Sequence, residues 1–395
     1  MTATADVPEY SLDRTDLLAP PTQFTELQQE PPSRVRIADG STPWLLTRHA
    51  DVRAVLSDPR VSADDTKPGY PRLIPLPPGL LSFVRMDGED HRRLRQALVP
   101  EFTLRRLEAL RPKVEQLVEA LLDDLSRREK PADLIDAFAL PLPSAVISRL
   151  LGVPDEDHGF FQAHSRTITA MDESPEAAQA AFGALTGYLH ELVGRRTVEP
   201  GDDVLSRVAE SHVKTGKLTH EELTGMAFLL LLAGHETTAH SLGLGTLLLL
   251  SHPEQWEALK ADPTLARQAA EEVLRYVPVV HTNISRLAME DIEIGGVTIA
   301  TGEGIILALP AANWDEEVFP AAQKFDIQRD SQSNVGFGYG VHQCLGQSLA
   351  RIELAVAFEG LVRRFPTLQL AAPASELRFR IEHATYGLHE LPVTW

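Results

Sequence analysis

The stretch Gly336-Phe-Gly-Tyr-Gly-Val-His-Gln-Cys-Leu-Gly346 is the most informative part of the sequence. Its glycines at 336, 338 and 340 allow the backbone to turn tightly and to approach another group closely. Cys344, the single cysteine of the chain, follows this loop, and the apolar pattern predicts a strongly amphipathic helix from Leu345 to Phe365 directly after it. The free N–H groups and the dipole at the start of a helix favour a thiolate over a thiol. A thiolate placed in this way is a strong ligand for iron.

Two other interpretations of this loop are possible. A free cysteine is often buried as a small apolar residue, which would make Cys344 structural. The adjacent glycines and the predicted helix start argue against that interpretation. A phosphate-binding loop is excluded, because the spacing matches neither G-x-G-x-x-G nor G-x-x-x-x-G-K-[ST].

The longest apolar stretch runs from 226 to 250 and lies inside a predicted helix. That helix begins at Thr219, with Glu222 three residues later as the second half of a capping box, and runs to about Ser251. A membrane span is disfavoured because polar and ionisable side chains at the centre would be costly in lipid. These central polar residues are His235, Glu236, Thr237, Thr238 and His240.

The centre of this helix contains a weakened polar turn. Gly234 lowers helix stability, and a threonine in a helix can bond back to the carbonyl four residues earlier and bend the helix. A satisfied buried polar cluster is the ordinary explanation for such a turn. A zinc site of the H-E-x-x-H type is excluded because position 239 is alanine, and His240 lies on a different face from His235.

The composition limits the class of protein. The chain has 395 residues, 43% of them hydrophobic, and a formal net charge of −19, which disfavours general binding to nucleic acid or to anionic membranes. One cysteine permits no disulfide within the chain, and the first residues show no charged and then apolar leader. We therefore expect a cytoplasmic, monomeric protein without a membrane span.

The pattern predicts one domain over 1–395, mainly α with small β-sheets, with a β-rich part at about 34–60 and 280–310. Pro-rich residues 61–85 are predicted to form a long loop or irregular helix. The predicted strands are a hairpin over 34–47 that turns at Asp39-Gly40, a hairpin over 291–299, and short strands in 388–395. The further predicted helices are 51–56, 104–128, 177–196 and 265–276.

The cysteine loop resembles the haem-binding loop of the cytochrome P-450 superfamily, F-G-x-G-x-H-x-C-x-G, and the soluble actinobacterial members in particular. The resemblance extends from about Pro43 to the C-terminus. It implies a single-domain fold shaped like a triangular prism, with haem b between the long central helix and the helix after the loop. It also implies that Cys344 is the axial ligand of the haem iron. The matching residues are Phe337, Gly338, Gly340, His342, Cys344 and Gly346.

The central turn of the long helix is similar to the family's A-G-x-[DE]-T-T segment. The resemblance places Ala233 and Gly234 at the cofactor. It makes Glu236 and Thr237 an acid and alcohol pair that guides protons to iron-bound oxygen, and a hydroxyl backed by an acid and water can relay protons.

Other matches imply structural and cofactor-binding roles. Glu272 and Arg275 resemble the family's E-x-x-R pair, whose usual third member, an arginine, corresponds here to Lys324. A lysine lacks the planar fork of arginine. Asn334 stands where the family has a histidine. Without the resemblance, each charged residue named in this paragraph would be interpreted as an ordinary surface charge. The residues that the resemblance assigns to the two haem propionates are His91, Arg95, Arg286 and His342.

The resemblance implies a monooxygenase that inserts one atom of O2 into a lipophilic small molecule by hydroxylation or epoxidation, in natural-product tailoring or xenobiotic oxidation. Electrons would come from NAD(P)H through a ferredoxin reductase and a ferredoxin. The alternatives are a haem-thiolate nitric-oxide reductase or peroxygenase, which usually modify the acid and alcohol turn, and a non-enzymatic haem-binding sensor.

Two surfaces are predicted, a docking face from the local charge and a substrate pocket from the family positions. Segment 85–113 carries more basic than acidic residues in an acidic protein, which suggests a docking face for an acidic redox partner. The predicted docking residues are Arg92, Arg93, Arg105 and Arg106. The predicted substrate pocket draws on 61–85, 156–200, Leu230–His235, Val279–Asn283 and Tyr386, which are mostly apolar.

Overall fold

The computed structural model describes residues 7–73, 82–169, 174–282, 284–381 and 383–395. Within these ranges the chain is mainly helical and has small sheets, as the sequence predicts. The prediction of one domain over 1–395 stays a prediction. The helices are α1 Thr22–Glu26, α2 His49–Ser57, α3 Gly88–Leu98, α4 Leu104–Glu108, α5 Arg111–Ser126, α6 Pro141–Leu151, α7 His158–Thr169, α8 Pro175–Val198, α9 Val204–Val208, α10 His220–Ser251, α11 Pro253–Ala261, α12 Ala266–Tyr276, α13 Leu309–Ala312 and α14 Gln347–Arg364.

The described strands are short and form three sheets. One sheet has the order β1-β2-β8-β5-β3, one has the order β4-β10-β9, and β6 pairs only with β7. The first sheet combines early and late residues, which confirms the predicted β-rich part. The strands are β1 Ser33–Arg34, β2 Trp44–Leu46, β3 Val61–Ser62, β4 Ala132–Asp133, β5 Ser285–Ala288, β6 Ile292–Ile294, β7 Val297–Ile299, β8 Gly304–Leu307, β9 Gln369–Leu370 and β10 Pro392–Thr394.

Both predicted hairpins are confirmed. β1 and β2 pair antiparallel, with Ser33 opposite Leu45, and Gly40 in the turn has a φ of +85° that favours glycine. β6 and β7 are joined by Gly295 and Gly296, both at positive φ, which is the usual chemistry of a two-residue hairpin loop.

The long helix α10 is the centre of the fold. It contains 32 residues and is therefore about 48 Å long. Its N-terminus has the predicted capping box, in which the Thr219 hydroxyl accepts a hydrogen bond from the N–H of Glu222 and the Glu222 carboxylate accepts one from the N–H of Thr219. Most of α10 is buried against α6, α8, α12 and α14. None of the helices in the described ranges is long and apolar enough to span a membrane.

Two helix predictions are wrong in detail. The stretch 104–128 forms α4 and α5 instead of one helix, because Pro112 in the first turn of α5 has no N–H to continue a preceding helix. Helix α14 is not strongly amphipathic. All residues from 352 to 358 are buried, since α5, α10, α11 and α12 surround this helix on several sides.

The structure describes only part of the predicted substrate pocket. Residues 74–81, 170–173 and Asn283 lie outside the described residues. Tyr386 is fully buried, and its hydroxyl donates to the carbonyl of Leu17, so its side chain does not face an open pocket.

The capping box gives a testable prediction. Replacement of Thr219 by alanine removes the side-chain acceptor for the Glu222 N–H, and we expect a loss of about 1 kcal/mol in the free energy of unfolding. Urea unfolding followed by circular dichroism measures it. Thr215→Ala is the matched control, because the exposed Thr215 hydroxyl bonds back to the carbonyls of Ser211 and His212 instead of capping an N–H, and its effect should stay within about 0.5 kcal/mol. Equal losses in the two variants would contradict the assigned cap.

Candidate haem-thiolate site

The cysteine loop is a tight turn followed by the start of α14. The N–H of Cys344 donates to the carbonyl of Phe337 over 2.9 Å, which closes the loop. Gly338 and Gly340 have φ values of +69° and +72°, so both positions favour glycine. A side chain at Gly340 would also collide with the carbonyl oxygen of Leu56. The loop therefore needs its glycines for backbone conformation and close packing.

The Cys344 sulfur lies two to three residues before the first turn of α14. Burial among the surrounding protein atoms raises the pKa of the Cys344 thiol above its ordinary value. The backbone N–H groups of Gly346 and Gln347 and the charges of Arg95 and Arg351 oppose this effect. The predicted preference for a thiolate at Cys344 stays a prediction. Coordination to a metal cation deprotonates a thiol outright.

Phe337 is held beside the cysteine. The guanidinium of Arg351 on α14 lies 4.7 Å from the centroid of the Phe337 ring and donates to Glu271 on α12 over 2.5 Å. Sequence reasoning missed Glu271 and Arg351. Because these two residues lie 80 positions apart in the sequence, no local pattern connects them.

The structure brings the four predicted cationic residues together from three separate elements. His91 and Arg95 lie on α3, Arg286 on β5, and His342 in the 3-10 turn before Cys344. The His91 and His342 rings are 4.2 Å apart between centroids. Arg95 donates to the carbonyl of Gln343 and interacts electrostatically with Cys344.

Burial makes this cluster electrostatically unusual. Burial, helped by the charges of His342 and Arg95, lowers the pKa of His91 to about 4, and burial lowers the pKa of Arg286 to about 10. Nε2 of His91 is buried and has no hydrogen-bond partner among the described residues. Donor groups in such surroundings are suited to an anionic group that the polypeptide itself does not provide.

Asp87 is a member of this site that the sequence did not reveal. Its carboxylate lies 3.8 Å from Nε2 of His342 and accepts hydrogen bonds from the Ala63 N–H and the Ser62 hydroxyl. Burial alone would raise the pKa of Asp87, but these hydrogen bonds lower it well below the ordinary range. The position before α3 favours a helix cap, yet the side chain makes no cap bond and instead holds the turn that carries His342.

The central turn of α10 is open on one face. Ala233 is exposed although it lies in the middle of a helix with mostly buried residues, and Thr237 on the same face is half-buried. The Thr237 hydroxyl donates to the carbonyl of Ala233 over 2.6 Å. Glu236 is buried at 6% exposure. The alcohol of the predicted pair therefore lies on the open face of the helix, with the acid next to it in the chain.

Gly234 serves helix packing. A Cβ at this position would lie 3.1 Å from Cδ1 of Ile147 on α6, so glycine allows α10 and α6 to approach closely. Contact of Gly234 with a cofactor stays a prediction. His235 is buried at 3% exposure, and its Nε2 atom has no hydrogen-bond partner in the described part of the chain.

Glu272 and Arg275 form a fully buried bidentate ion pair, with N–O distances of 2.7 and 2.8 Å. Arg275 also donates to the carbonyl of Asn313, whose side-chain oxygen accepts from the Val335 N–H at the start of the cysteine loop. The pair therefore connects α12 to the residues that lead into the loop.

The predicted third member of this network is wrong. The side chain of Lys324 is 67% exposed and lies 4.0 Å from Asp326, not at Glu272. Arg329 occupies that role: its Nε is 3.3 Å from Glu272, and its other nitrogens donate to three carbonyls between 320 and 324. A preference for the planar, multidentate guanidinium over an ammonium would have pointed to Arg329, five residues further along.

Asn334 has a local role. Its side-chain oxygen accepts from the N–H of Gly336, and its Nδ2 donates to the carbonyl of Ser331 and to Glu271. These contacts hold the beginning of the glycine loop, and they leave the cationic cluster to His91, Arg95, Arg286 and His342.

These residues fit a haem. A haem carries two carboxylates and an iron that takes an axial sulfur ligand. The chain offers a sulfur on a tight loop, the buried guanidinium of Arg286 and the half-buried guanidinium of Arg95, and a histidine nitrogen without a hydrogen-bond partner among the described residues. The site thus defines a haem protein of the thiolate class.

Comparisons with known proteins agree with this class. The family model for Cytochrome P450 matches residues 195–376. Cytochrome P450-SU2 of Streptomyces griseolus is 47% identical over 370 residues, which cover 93% of this chain and 91% of the relative. Pentalenic acid synthase of Streptomyces avermitilis is 43% identical over 391 residues, which cover 98% and 97%.

A solved structure extends the comparison to the fold. The mycinamicin VIII C21 methyl hydroxylase MycCI of Micromonospora griseorubida, bound to mycinamicin VIII, superposes with a TM-score of 0.92 at 39% identity and covers 98% of this chain and 100% of that chain. This chain belongs to the cytochrome P450 family. It is a cytochrome P450 monooxygenase that uses a haem-iron cofactor, O2, an organic substrate and redox partners.

The corrected ion network gives a testable prediction. Replacement of Arg329 by lysine removes the fork that joins Glu272 to the carbonyls, and we expect a loss of about 2 kcal/mol in the free energy of unfolding, since hydrogen bonds to charged groups contribute about that much. Lys324→Ala is the control and should change stability by no more than about 0.5 kcal/mol. Urea midpoints of the haem-loaded proteins give both values. A larger loss for the Lys324 variant would restore the original assignment.

Proposed function

We propose that this monooxygenase hydroxylates or epoxidises a lipophilic natural product or xenobiotic, that its cofactor is haem b, and that Cys344 is the axial ligand. Electrons come from NAD(P)H through a ferredoxin reductase and a ferredoxin. We also propose that the protein is a monomer. We propose that it is cytoplasmic, because a chain with one cysteine suits a reducing compartment.

The observation that supports this proposal is the arrangement of the Cys344 sulfur, two guanidinium groups and two imidazoles around the cysteine loop. In the proposed complex, His91, Arg95, Arg286 and His342 would hold the two propionates, and the N–H groups of Gly346 and Gln347 would stabilise the thiolate. When bound, the thiolate-ligated haem supplies reductive activation of O2 and transfer of one oxygen atom to the substrate.

The chain's own contribution to catalysis is positioning and proton supply. The Thr237 hydroxyl lies on the open face of α10, where its present acceptor is the Ala233 carbonyl. Rotation of this hydroxyl toward the open face lets it donate a proton, which Glu236 and water behind it replace. This intact pair disfavours a nitric-oxide reductase or peroxygenase, whose reactions do not need such a relay.

The names of the relatives support the substrate class. Pentalenic acid synthase, 20-oxo-5-O-mycaminosyltylactone 23-monooxygenase and Vitamin D3 dihydroxylase are all 39% or more identical to this chain. We infer that this chain also accepts a mostly apolar small molecule with some polar groups.

The decisive experiment is reconstitution. The purified haem protein is screened for ligands that displace iron-bound water, and the ligands found are then supplied with ferredoxin, ferredoxin reductase, NADPH and O2. The proposal expects an oxygenated product and a thiolate-type carbonyl spectrum, both lost in Cys344→Ser. Product formation with peroxide alone, and none with the redox partners, would favour the peroxygenase. No product under either condition would favour the sensor.

The proton relay is tested by removing the Thr237 hydroxyl. In Thr237→Ala we expect product formed per NADPH consumed to fall about tenfold or more, because general acid and base groups contribute at least that much, while NADPH consumption continues and hydrogen peroxide accumulates. Thr237→Ser keeps a hydroxyl and should restore most of the coupling.

A matched control lies on the same helix. Thr246 also donates to the carbonyl four residues earlier, over 2.8 Å, but is buried in the core. Thr246→Ala should leave the ratio of product to NADPH unchanged. Equal uncoupling in both variants would mean that helix distortion, not proton supply, is responsible.

The structure reduces the number of arginines that are available to dock a redox partner. Arg93 forms an ion pair with Glu222 at 2.6 Å, and Arg106 forms one with Glu101 at 3.3 Å. Arg92 and Arg105 are exposed and have no ion pair among the described residues. We therefore assign the electrostatic attraction of an acidic ferredoxin chiefly to Arg92 and Arg105.

The combined variant Arg92→Glu/Arg105→Glu should slow reduction by ferredoxin about tenfold at low ionic strength, with the difference shrinking as salt is added. Stopped-flow reduction kinetics measure the rate. Arg127→Glu/Arg378→Glu reverses two other exposed cations and is the control for net charge. If both double variants slow reduction equally, no specific docking face exists at these arginines.

A further inference from the structure

A half-open cleft of about 650 Å³ lies apart from the haem-thiolate site. It is bounded by the 3-10 turn Val99–Glu101, by α4 and α5, by α6, and by residues at the start of α9. None of the residues assigned to the cysteine loop, the cationic cluster or the α10 turn lines it. Its apolar wall consists of Ala109, Leu110, Val114, Leu117, Val146 and Leu150.

The polar side of the cleft is positively charged. Four basic residues and two acidic residues line it, so two positive charges are in excess, in a protein whose net charge is −19. A local positive potential on an acidic protein attracts anions to that place in particular. The charged residues are Arg106, Lys113, Arg149, Arg207, Glu101 and Asp202.

Both acidic residues are already engaged. Glu101 is 7% exposed and accepts hydrogen bonds from Arg207 over 2.6 Å and from Arg106 over 3.3 Å. Arg207 also pairs with Asp202 at 2.8 Å. Both carboxylates of the cleft are therefore paired with arginines of the cleft, and these contacts hold Arg106 and Arg207 in place.

Donors remain for an external anion. Lys113 on α5 is exposed and has no hydrogen bond or ion pair to its side chain in the described part of the protein. Arg106 is 44% exposed and uses one guanidinium nitrogen, Nη1, on Glu101, so donors remain on a side chain that solvent reaches. A guanidinium and an ammonium next to an apolar wall match a ligand with one carboxylate and an apolar body.

We propose that this cleft binds an amphipathic carboxylate of the size of a medium-chain fatty acid, at a site separate from the haem pocket. The carboxylate binds Lys113 and Arg106, and the chain lies along Leu117, Val146 and Leu150. The volume of the cleft is within the range of about 300–1,000 Å³ that small-molecule sites occupy. The anchor is Glu101, because it fixes Arg106 and Arg207 at the wall.

The test must separate this cleft from the haem pocket, which also accepts apolar molecules. The haem-loaded protein is first saturated with an iron-binding azole, and decanoate is then titrated by calorimetry. We expect one equivalent of decanoate to bind in the presence of the azole. Methyl decanoate, which has the same chain without the charge, should bind about tenfold more weakly.

Variants locate the site. Lys113→Glu should weaken decanoate binding about tenfold, as the loss of a charged hydrogen bond implies, and Lys113→Met should weaken it less. Arg105→Glu, the neighbour of Arg106 that does not line the cleft, should bind like the unaltered protein. An unchanged carbonyl spectrum in each variant shows that the protein is folded.

Three outcomes would overturn the proposal. Decanoate could fail to bind once the azole fills the haem pocket. It could bind with equal strength to the Lys113→Glu and unaltered proteins. It could also bind no better than its methyl ester. None of these results bears on the monooxygenase activity, which the reconstitution experiment tests separately.

Discussion

The rest of the site depends on the hydrogen bonds and ion pairs of the buried Glu272 carboxylate. Removing a charge from water is costly unless it is paired and fully hydrogen-bonded. Glu272 meets this condition with Arg275, Arg329, the Ser331 hydroxyl and the Asp326 N–H. Through Arg275 and Asn313 the same network reaches Val335, where the cysteine loop begins. Loss of any one partner would leave an uncompensated buried charge, so this network and the start of the cysteine loop depend on each other.

The electrostatics of the haem site run against those of the whole protein. The chain has a net charge of −19, yet the guanidinium groups of Arg95 and Arg286 lie near the imidazoles of His91 and His342, with the carboxylate of Asp87 beside His342. Burial penalises the charge of Arg286 and lowers its pKa to about 10. In the proposed haem site, anionic propionates would relieve this penalty and so couple cofactor binding to the stability of this region. The second positive cleft differs, because its cations remain exposed to water.

Helix α10 combines two requirements that conflict. Most of its residues between Leu223 and Leu249 are packed as in a core helix, with glycine against α6 at position 234 and a capping box at the exposed Thr219. Its central turn is open at Ala233 and polar at Thr237. A buried helix of this length would be more stable with apolar residues throughout. The polar turn is therefore maintained at a cost in stability, which agrees with the proposed proton relay.

Local patterns in the sequence determined much of this protein: the capped helix α10, both hairpins, the glycine loop and the identity of Cys344 as the ligand candidate. Glycine geometry, capping and periodicity act over a few residues, so they are visible without the fold. The structure alone decided which distant charges meet. It replaced Lys324 by Arg329, added Asp87 and Arg351, and split one helix at Pro112. The physical reason is that burial and long-range pairing depend on how elements far apart in the chain pack together. A short stretch of sequence does not contain that information.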